Sequence, residues 1–510
     1  MIIPPYEPAP GSEAELARFG ELKRHLRDSF LTFRRDPNVP YTAVVVPSQS
    51  VDPVELAKIE GVAHYEERSL FNLMLLRRPR LRVIYVTSKR LNPLVVDYFL
   101  HQMRSVPRAH ALRRLQLLDC DDASPVPLTQ KVLGRPRLVQ RIRDAIADPQ
   151  NAHLVVFNAT PLERTLAVQL GIPLNACDPD LVSLGSKTGS HEVFAEAGLL
   201  APPARTGLRD EADLAESVED LAAEHPDARR LVVKLNESFS GEGNAVLDLA
   251  PLREGKKALE VLPSLRFEAV GTEYEAYRDQ FGRMGGICEL WLEGERKTSP
   301  SVQVRVNPAS EVNVVSTHDQ VLGGPSGQVF LGATFPADPR VRIRLSQGGR
   351  KVGEVLARRG VIGRFGVDFV AVEPKDGGRP TLYALEINLR AGGTTHPFNT
   401  LKFITDGRYD EDIGNFFTAQ KQPRCYFATD NLKAPEYKGI LPVDLLDLLV
   451  AEGIHFRSDE TGVVFHLLGC LSEFGKLGCT AIAPSVPEAR AIYDETVRLL
   501  DKMSGRKPAE

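Results

Sequence analysis

Asp368, Glu386 and Asn388 are the residues of this chain whose types and spacing most directly suggest chemistry. Two strand-like runs, Gly366–Val372 and Thr381–Asn388, flank Asp376-Gly377-Gly378. If those three residues form the loop, Lys375 faces Arg379 and the pairing runs back symmetrically, which sets Asp368 opposite Glu386. Glu386 and Asn388 are two apart and share a face of their strand. Two carboxylates with Cβ atoms ~5 Å apart repel by roughly 3 kcal/mol at an effective dielectric of about 20. A cation between them removes that cost, and an oxygen-only set of Asp, Glu and Asn suits Mg²⁺ held together with substrate phosphates. A bulge that slips the register by one would turn Glu386 to the other face. Pairing alone leaves both readings open.

Three further constellations are individually weaker. Lys234 lies in the apolar run Leu231–Leu235, where its charge must be paired or desolvated. The loop after it carries Ser238, Ser240, Gly241 and Gly243, whose backbone N–H groups could close over phosphates, although Gly and Ser populate any flexible hairpin. Lys187 follows Ser183-Leu-Gly-Ser and opens a helix-like stretch; the upstream glycine of a Walker A loop is missing, so a P-loop is rejected. The only tryptophan, Trp291, stands in Glu289-Leu-Trp-Leu292-Glu-Gly-Glu295, a stretch that could flank an adenine ring and reach a ribose. Core packing of a lone tryptophan is the commoner alternative.

The elements that must position these residues follow from patterning. Residues 41–47, 81–87 and 152–158 are short β-branched runs, each followed by a helix-compatible stretch, which argues for an open, largely parallel α/β sheet in residues 1–180. Residues 181–406 read as α+β with antiparallel hairpins: Leu231–Leu235 with Ala245–Leu249, Ser301–Val306 with Glu311–Ser316, and the Asp368 hairpin. Residues 407–439 lack periodicity and read as a connector. Residues 440–510 read as a small α+β unit closed by an amphipathic helix over Pro487–Met503.

Composition bounds the function. Lys+Arg is 63 and Asp+Glu 67, a balance that argues against a dedicated nucleic-acid binder or a polybasic membrane anchor. No apolar run reaches the ~18 residues of a membrane span, and Met1–Ser12 has no secretory signal pattern. The six scattered cysteines form no Cys-x-x-Cys pair, which suits reduced thiols and a cytoplasmic location.

The order of these features carries a resemblance. A lysine opening a helix, a lysine before a Gly-rich hairpin, a Glu-x-x-Leu hinge, an Asp and then Glu386-Ile-Asn388-Leu-Arg390-Ala-Gly-Gly-Thr-Thr-His396-Pro together resemble the ATP-grasp superfamily from about Ser183 to Pro397. The full chain resembles the pheganomycin-type carboxylate–amine (peptide) ligases, in which a Rossmann-like pre-ATP-grasp domain precedes the catalytic part; Gly462–Gly478 resembles the terminal domain of that subgroup. The resemblance implies an ATP-grasp fold with a mobile lid over about 200–288. It implies that Lys187 and Lys234 contact ATP phosphates, that Ser240, Gly241, Gly243 and Asn244 belong to the lid loop, and that Glu289, Leu290, Trp291 and Leu292 form the adenine hinge. Family spacing for the ribose acid falls between Glu295 and Arg296, and Glu295 is the sensible choice. Asp368, Glu386 and Asn388 would hold Mg²⁺ (or Mn²⁺), with Asp standing where Glu is more usual.

The chemistry so implied has two steps. A carboxylate attacks the γ-phosphate of ATP to give an acyl phosphate and ADP, and an amine then displaces phosphate to form an amide. Arg390, and Arg305 with it, would steady the acyl phosphate and the oxyanion, although a surface or ion-paired Arg305 is an equal alternative. The expected partners are small carboxylate and amine substrates (amino acids or peptides), with no nucleic acid or membrane and a possible homodimer. Carboxylation, kinase-like transfer and a non-catalytic nucleotide-binding role are the competing classes. No biotin-attachment Met-Lys-Met is present, and His318 reads as a loop histidine.

Overall fold

The computed structural model describes residues 7–103, 106–237, 243–269, 271–294, 296–323, 329–375 and 377–506. Ser238, Ser240, Gly241 and Glu295 therefore lie outside the described residues, as does Asp376 of the expected hairpin loop.

Four strands open the fold: β1 (Tyr41–Val46), β2 (Leu81–Thr87), β3 (Leu115–Asp119) and β4 (Ala152–Val156). They pair in parallel in the order β3-β2-β1-β4. β1 is buried along its whole length, so it reads as an unbroken apolar run without alternation. The helix Pro161–Leu170 follows β4 with Thr160 as N-cap, a capping box to Glu163 and Pro161 in its first turn.

A second sheet has the order β5-β9-β6-β7-β8, from β5 (Ala204–Leu208), β6 (Arg230–Leu235), β7 (Asn244–Asp248), β8 (Arg266–Phe267) and β9 (Gly286–Leu290). Its own core includes Val218, Leu221, Leu231, Leu247 and Phe281.

The third sheet is the largest. It contains β10 (Lys297–Thr298), β11 (Pro300–Val306), β12 (Val312–Gly323), β13 (Val329–Phe335), β14 (Gly363–Val372) and β15 (Thr381–Asn388). Two short strands, β16 (Arg408–Asp410) and β17 (Asn415–Phe417), pair with each other in a separate two-stranded sheet. The large sheet then continues with β18 (Cys425–Lys433), β19 (Gly462–His466) and β20 (Lys476–Ala483). Among the described residues its order is β10-β14-β11-β12-β13-β18-β20-β19, with β15 on β14.

Residues 407–439 are thus not free of regular structure: β18 pairs with β13 on one side and β20 on the other. Its alternation is hidden because Tyr426, Phe427, Ala428, Thr429 and Asp430 are all buried, so no polar face shows in the sequence. The terminal helix Val486–Ser504 packs on this part of the sheet. One core joins the first and third sheets, bringing Tyr85 and Phe99 together with Phe335, Tyr426, Phe465 and Leu500. His318 is also corrected: it lies within β12, fully buried, with Nε2 2.7 Å from the Tyr426 hydroxyl. All six cysteines are free thiols. No helix of the described residues is long and apolar enough to cross a membrane.

Candidate active site

The hairpin β14–β15 places Asp368 directly across from Glu386, and Gly366 across from Asn388. It arrives there by a different route from the one the sequence suggests. Pairing ends at Val372↔Thr381, so the expected three-residue loop is replaced by a longer connection containing Pro380, which has no N–H to offer a ladder. That shifts the register by one. A bulge at Leu385, between the pairs Asp368↔Glu386 and Phe369↔Ala384, shifts it back.

The two carboxylates carry the electrostatics expected of a cation site. Burial and the Glu386 charge push the Asp368 carboxyl up to about 7. Its oxygens accept hydrogen bonds from Gln320 Nε2 at 2.7 Å and Asn388 Nδ2 at 2.9 Å. Burial opposes ionisation of Glu386 as well, yet Lys187 and Arg390 hold it below the usual carboxylate range. Lys187 Nζ lies 2.6 Å from Glu386 Oε2 and is itself buried. A buried carboxylate pair facing each other, with all-oxygen donors and no thiol or imidazole, fits a hard divalent cation.

Lys187 gets there because its helix, Lys187–Glu196, is locked at both sides. The Ser186 hydroxyl caps Gly189 N–H, and Ser190 Oγ accepts from Ile387 N–H of β15 at 3.0 Å. Thr188 N–H and hydroxyl both bond Asn236 Oδ1, at 3.0 and 2.8 Å, which ties the helix to the end of β6. At Gly189 a Cβ would sit 2.2 Å from the Ser183 carbonyl, so only glycine permits this approach.

Lys234 points from β6 into a second buried cluster. Its Nζ is 2.5 Å from Glu289 Oε1, and His191 Nε2 is 3.3 Å from Glu289 Oε2. Burial works against the Glu289 charge, but Lys234 and His191 hold it below the usual range. Gly243 and Asn244 return the chain into β7; the Gly243 carbonyl accepts from Leu235 N–H and the Tyr277 hydroxyl, and Asn244 pairs with Lys234. After Leu290 the chain leaves the sheet: Leu290 N–H bonds the Pro203 carbonyl and Trp291 N–H the Arg230 carbonyl. Trp291 is not a core residue. Its ring lies between Arg230 and Lys297, at 4.6 and 4.5 Å from the centroid, and Lys297 Nζ also bonds the Leu292 carbonyl at 3.0 Å.

Beyond the carboxylates the same sheet face becomes cationic. Arg305 on β11 pairs directly with Arg364 on β14, and both line a cavity of about 470 Å³ between the first and third sheets. Arg390 and Lys402 line it too, with His153 and an apolar wall that includes Phe30 and Phe33. Among the described residues no aspartate or glutamate lines the cavity. Arg34 and Arg68 have acids outside it, Glu311 and Asp430. Among the described residues no carboxylate pairs with Arg305, Arg364 or Lys402. Burial, with Arg305 adding to it, pushes the Arg364 guanidinium down to about 9 and the His153 imidazole down to about 4. The ion-paired alternative for Arg305 therefore fails; it faces the cavity that Arg390 borders.

Sequence reasoning passed over Arg364, Gln320, His191, Arg68 and Lys402. A signal existed for one of them. Arg364 is four residues before Asp368 in a strand, so the two share a face. The others come from separate elements, where no spacing links them to the site.

Comparison with known proteins agrees with this geometry. The family model described as "IQCH-like, ATP-grasp" matches residues 179–273 and 264–412, and "PGM1 C-terminal domain" matches 444–496. The chain is 34% identical over 454 residues to L-propargylglycine–L-glutamate ligase of Streptantibioticus cattleyicolor, covering 87% of this chain and 91% of that one. It is 23% identical over 396 residues to IQ motif-containing protein H of Danio rerio, across 68% of this chain but only 37% of that much longer protein. Among solved structures, the biotin carboxylase–β,γ-ATP complex of Campylobacter jejuni aligns with a TM-score of 0.54 at 13% identity, over 91% of this chain and 95% of that one. The biotin carboxylase domain of Hydrogenobacter thermophilus 2-oxoglutarate carboxylase aligns with a TM-score of 0.53 at 13% identity, over 91% and 94%. At such identity these two likenesses speak for the fold alone. The paired carboxylates, the two buried lysines and the relative that matches nearly end to end place this chain in the ATP-grasp superfamily, among its carboxylate–amine ligases.

Proposed function

We propose that this enzyme joins an acidic amino acid or acidic peptide to an amine through an acyl phosphate, releasing ADP and phosphate. The observation that carries the substrate class is the acid-free cationic cavity that begins beside Arg390. In this reading one substrate carboxylate lies at Arg390, next to the phosphate site, and a second lies against Arg305, Arg364 and Lys402. The glutamate in the relative's name agrees with that choice.

The residues then divide the work by charge. Lys187 and Lys234 bind the phosphates, each leaving the carboxylate that holds it in place, Glu386 or Glu289. Asp368, Glu386 and Asn388 hold Mg²⁺ (or Mn²⁺), which neutralises the phosphate oxygens and fixes their orientation. The stretch Leu290–Leu292 borders the adenine, and Glu295 takes the ribose. Ser240, Gly241, Gly243 and Asn244 belong to the loop that closes over the triphosphate. Closure matters chemically, since an acyl phosphate hydrolyses if water enters. Arg390, with Gln303 and Thr394 hydrogen-bonded at 2.7 Å beneath the adjoining turn, stabilises the charge that develops on the carbonyl oxygen in the second step. In this reading the enzyme acts on small molecules in the cytoplasm.

The test is a paired screen. Glutamate, aspartate and acidic dipeptides are offered as carboxylate donors with a panel of amino acids as acceptors, scoring ADP release with Mg²⁺. Hydroxylamine should trap the activated donor as a hydroxamate. AMP and pyrophosphate as products, or activity confined to monocarboxylic donors, would overturn the reading.

A further inference from the structure

Apart from the catalytic groups, His396, Asp430 and His466 form a buried cluster whose geometry hydrogen bonding does not explain. His396 opens the helix Thr395–Thr405, Asp430 lies on β18 and His466 ends β19, so three distant segments meet at one point. His396 Nε2 is 3.0 Å from His466 Nε2 and 3.0 Å from Asp430 Oδ1, and His466 Nε2 is 2.6 Å from the same oxygen. All three residues are at most 7% exposed.

A neutral imidazole Nε2 presents either one proton or one lone pair, in the plane of the ring. If both nitrogens donate to Asp430 Oδ1, two N–H groups oppose each other at the nitrogen–nitrogen contact. If one nitrogen is unprotonated, its lone pair faces the carboxylate oxygen. With an ionised carboxylate every proton arrangement leaves one contact repulsive. Asp430 carries its charge against Arg68. Arg68 Nη1 bonds its other oxygen, Oδ2, at 2.9 Å, leaving Oδ1 aimed at the imidazoles. Neutral imidazole and ionised carboxylate are the protonation states in which these groups bind metals.

The triangle also has the right size. Three donors each about 2.1 Å from one ion, at right angles to one another, stand roughly 3.0 Å apart, as on one face of an octahedron. The sequence makes room for the ring at this point: Gly478 pairs with His466, and a Cβ there would fall 2.0 Å from His466 Nε2.

We propose that His396, Asp430 and His466 bind one divalent first-row transition ion at a site distinct from the all-oxygen Asp368–Glu386 pair. Two imidazoles and one carboxylate select such an ion over Mg²⁺. The ion would clasp the turn that follows Arg390 to the carboxyl-terminal strands.

The experiment uses full-length protein purified without chelator, analysed for zinc, iron, manganese and cobalt by mass spectrometry, then stripped and titrated with Co²⁺. One ion per chain, and visible d–d absorption on adding Co²⁺, is the expected result. Stripped wild-type protein that takes up neither Co²⁺ nor Zn²⁺ would overturn the proposal, whatever the variants do. His466→Ala and Asp430→Asn should lose that ion and the absorption while still protected by Mg-ATP against heat. Metal binding unchanged in both variants would equally overturn it.

Discussion

Asp368→Asn should make the ligand-free protein more stable at pH 8 while it abolishes ATP turnover. The Asp368 carboxyl titrates near 3.8 in an unfolded chain and is pushed up to about 7 in the fold by burial and Glu386. A raised acid favours the folded state only while it is protonated. Its contribution is complete below pH 3.8, declines as pH rises and is gone above about 7. The shift, about 3 pH units at 1.36 kcal/mol each and discounted for the cleft's contact with water, leaves ~2–4 kcal/mol. Asparagine keeps the Gln320 contact, and Asn388 can turn its amide over to accept, so the swap removes the charge without orphaning a partner. A 510-residue chain unfolding as one unit at roughly 2.1 cal/mol/K per residue moves by about 1 °C per kcal/mol. Thermal melts in EDTA should show the variant ~2–4 °C above wild type at pH 8, with the gap shrinking by pH 5. Adding Mg-ATP should reverse the order, because only wild type gains a ligand. A variant no more stable than wild type at pH 8, or a gap independent of pH, would refute the reasoning.

The same charge logic yields further expectations. The kcat/KM for Mg-ATP should fall as pH drops below about 7, since a proton on Asp368 competes with the cation; a flat profile between pH 6 and 8 would argue against it as a ligand. Glu386→Ala should lower turnover by about 10²–10³, on the order of 3–4 kcal/mol of lost stabilisation, in a protein with an unchanged circular dichroism spectrum; near-wild-type rates would remove Glu386 from the site. Arg364→Ala should raise KM for the acidic donor about 10–100-fold, matching ~1.5–3 kcal/mol for a hydrogen bond to a charged group, with KM for ATP unmoved. Glu289→Ala should destabilise the fold by about 3–5 kcal/mol, because Lys234 would be left buried without its counter-charge; a melt within 1 °C of wild type would contradict that (about 1 kcal/mol).

Residue types and local spacing alone identify much of this enzyme. Alternation within one strand puts Glu386 and Asn388 on one face, and the order of Lys187, Lys234, Glu289 and the Glu-x-Asn-x-Arg strand is legible because each motif is local. Tertiary structure decided the rest. Asp368 meets Glu386 because a bulge at Leu385 cancels the shift imposed by the longer loop, and neither irregularity has a spacing signature. β18 is invisible as a strand because both its faces are covered, which erases the alternation that marks a half-exposed one. Trp291 became a cation-flanked ring because folding brings Arg230 on β6 and Lys297 on β10, strands of two different sheets, to the same indole. The acid-free cavity and the His396–Asp430–His466 triangle bring together side chains up to hundreds of positions apart. Their chemistry depends on burial and mutual distance, and chain folding sets both.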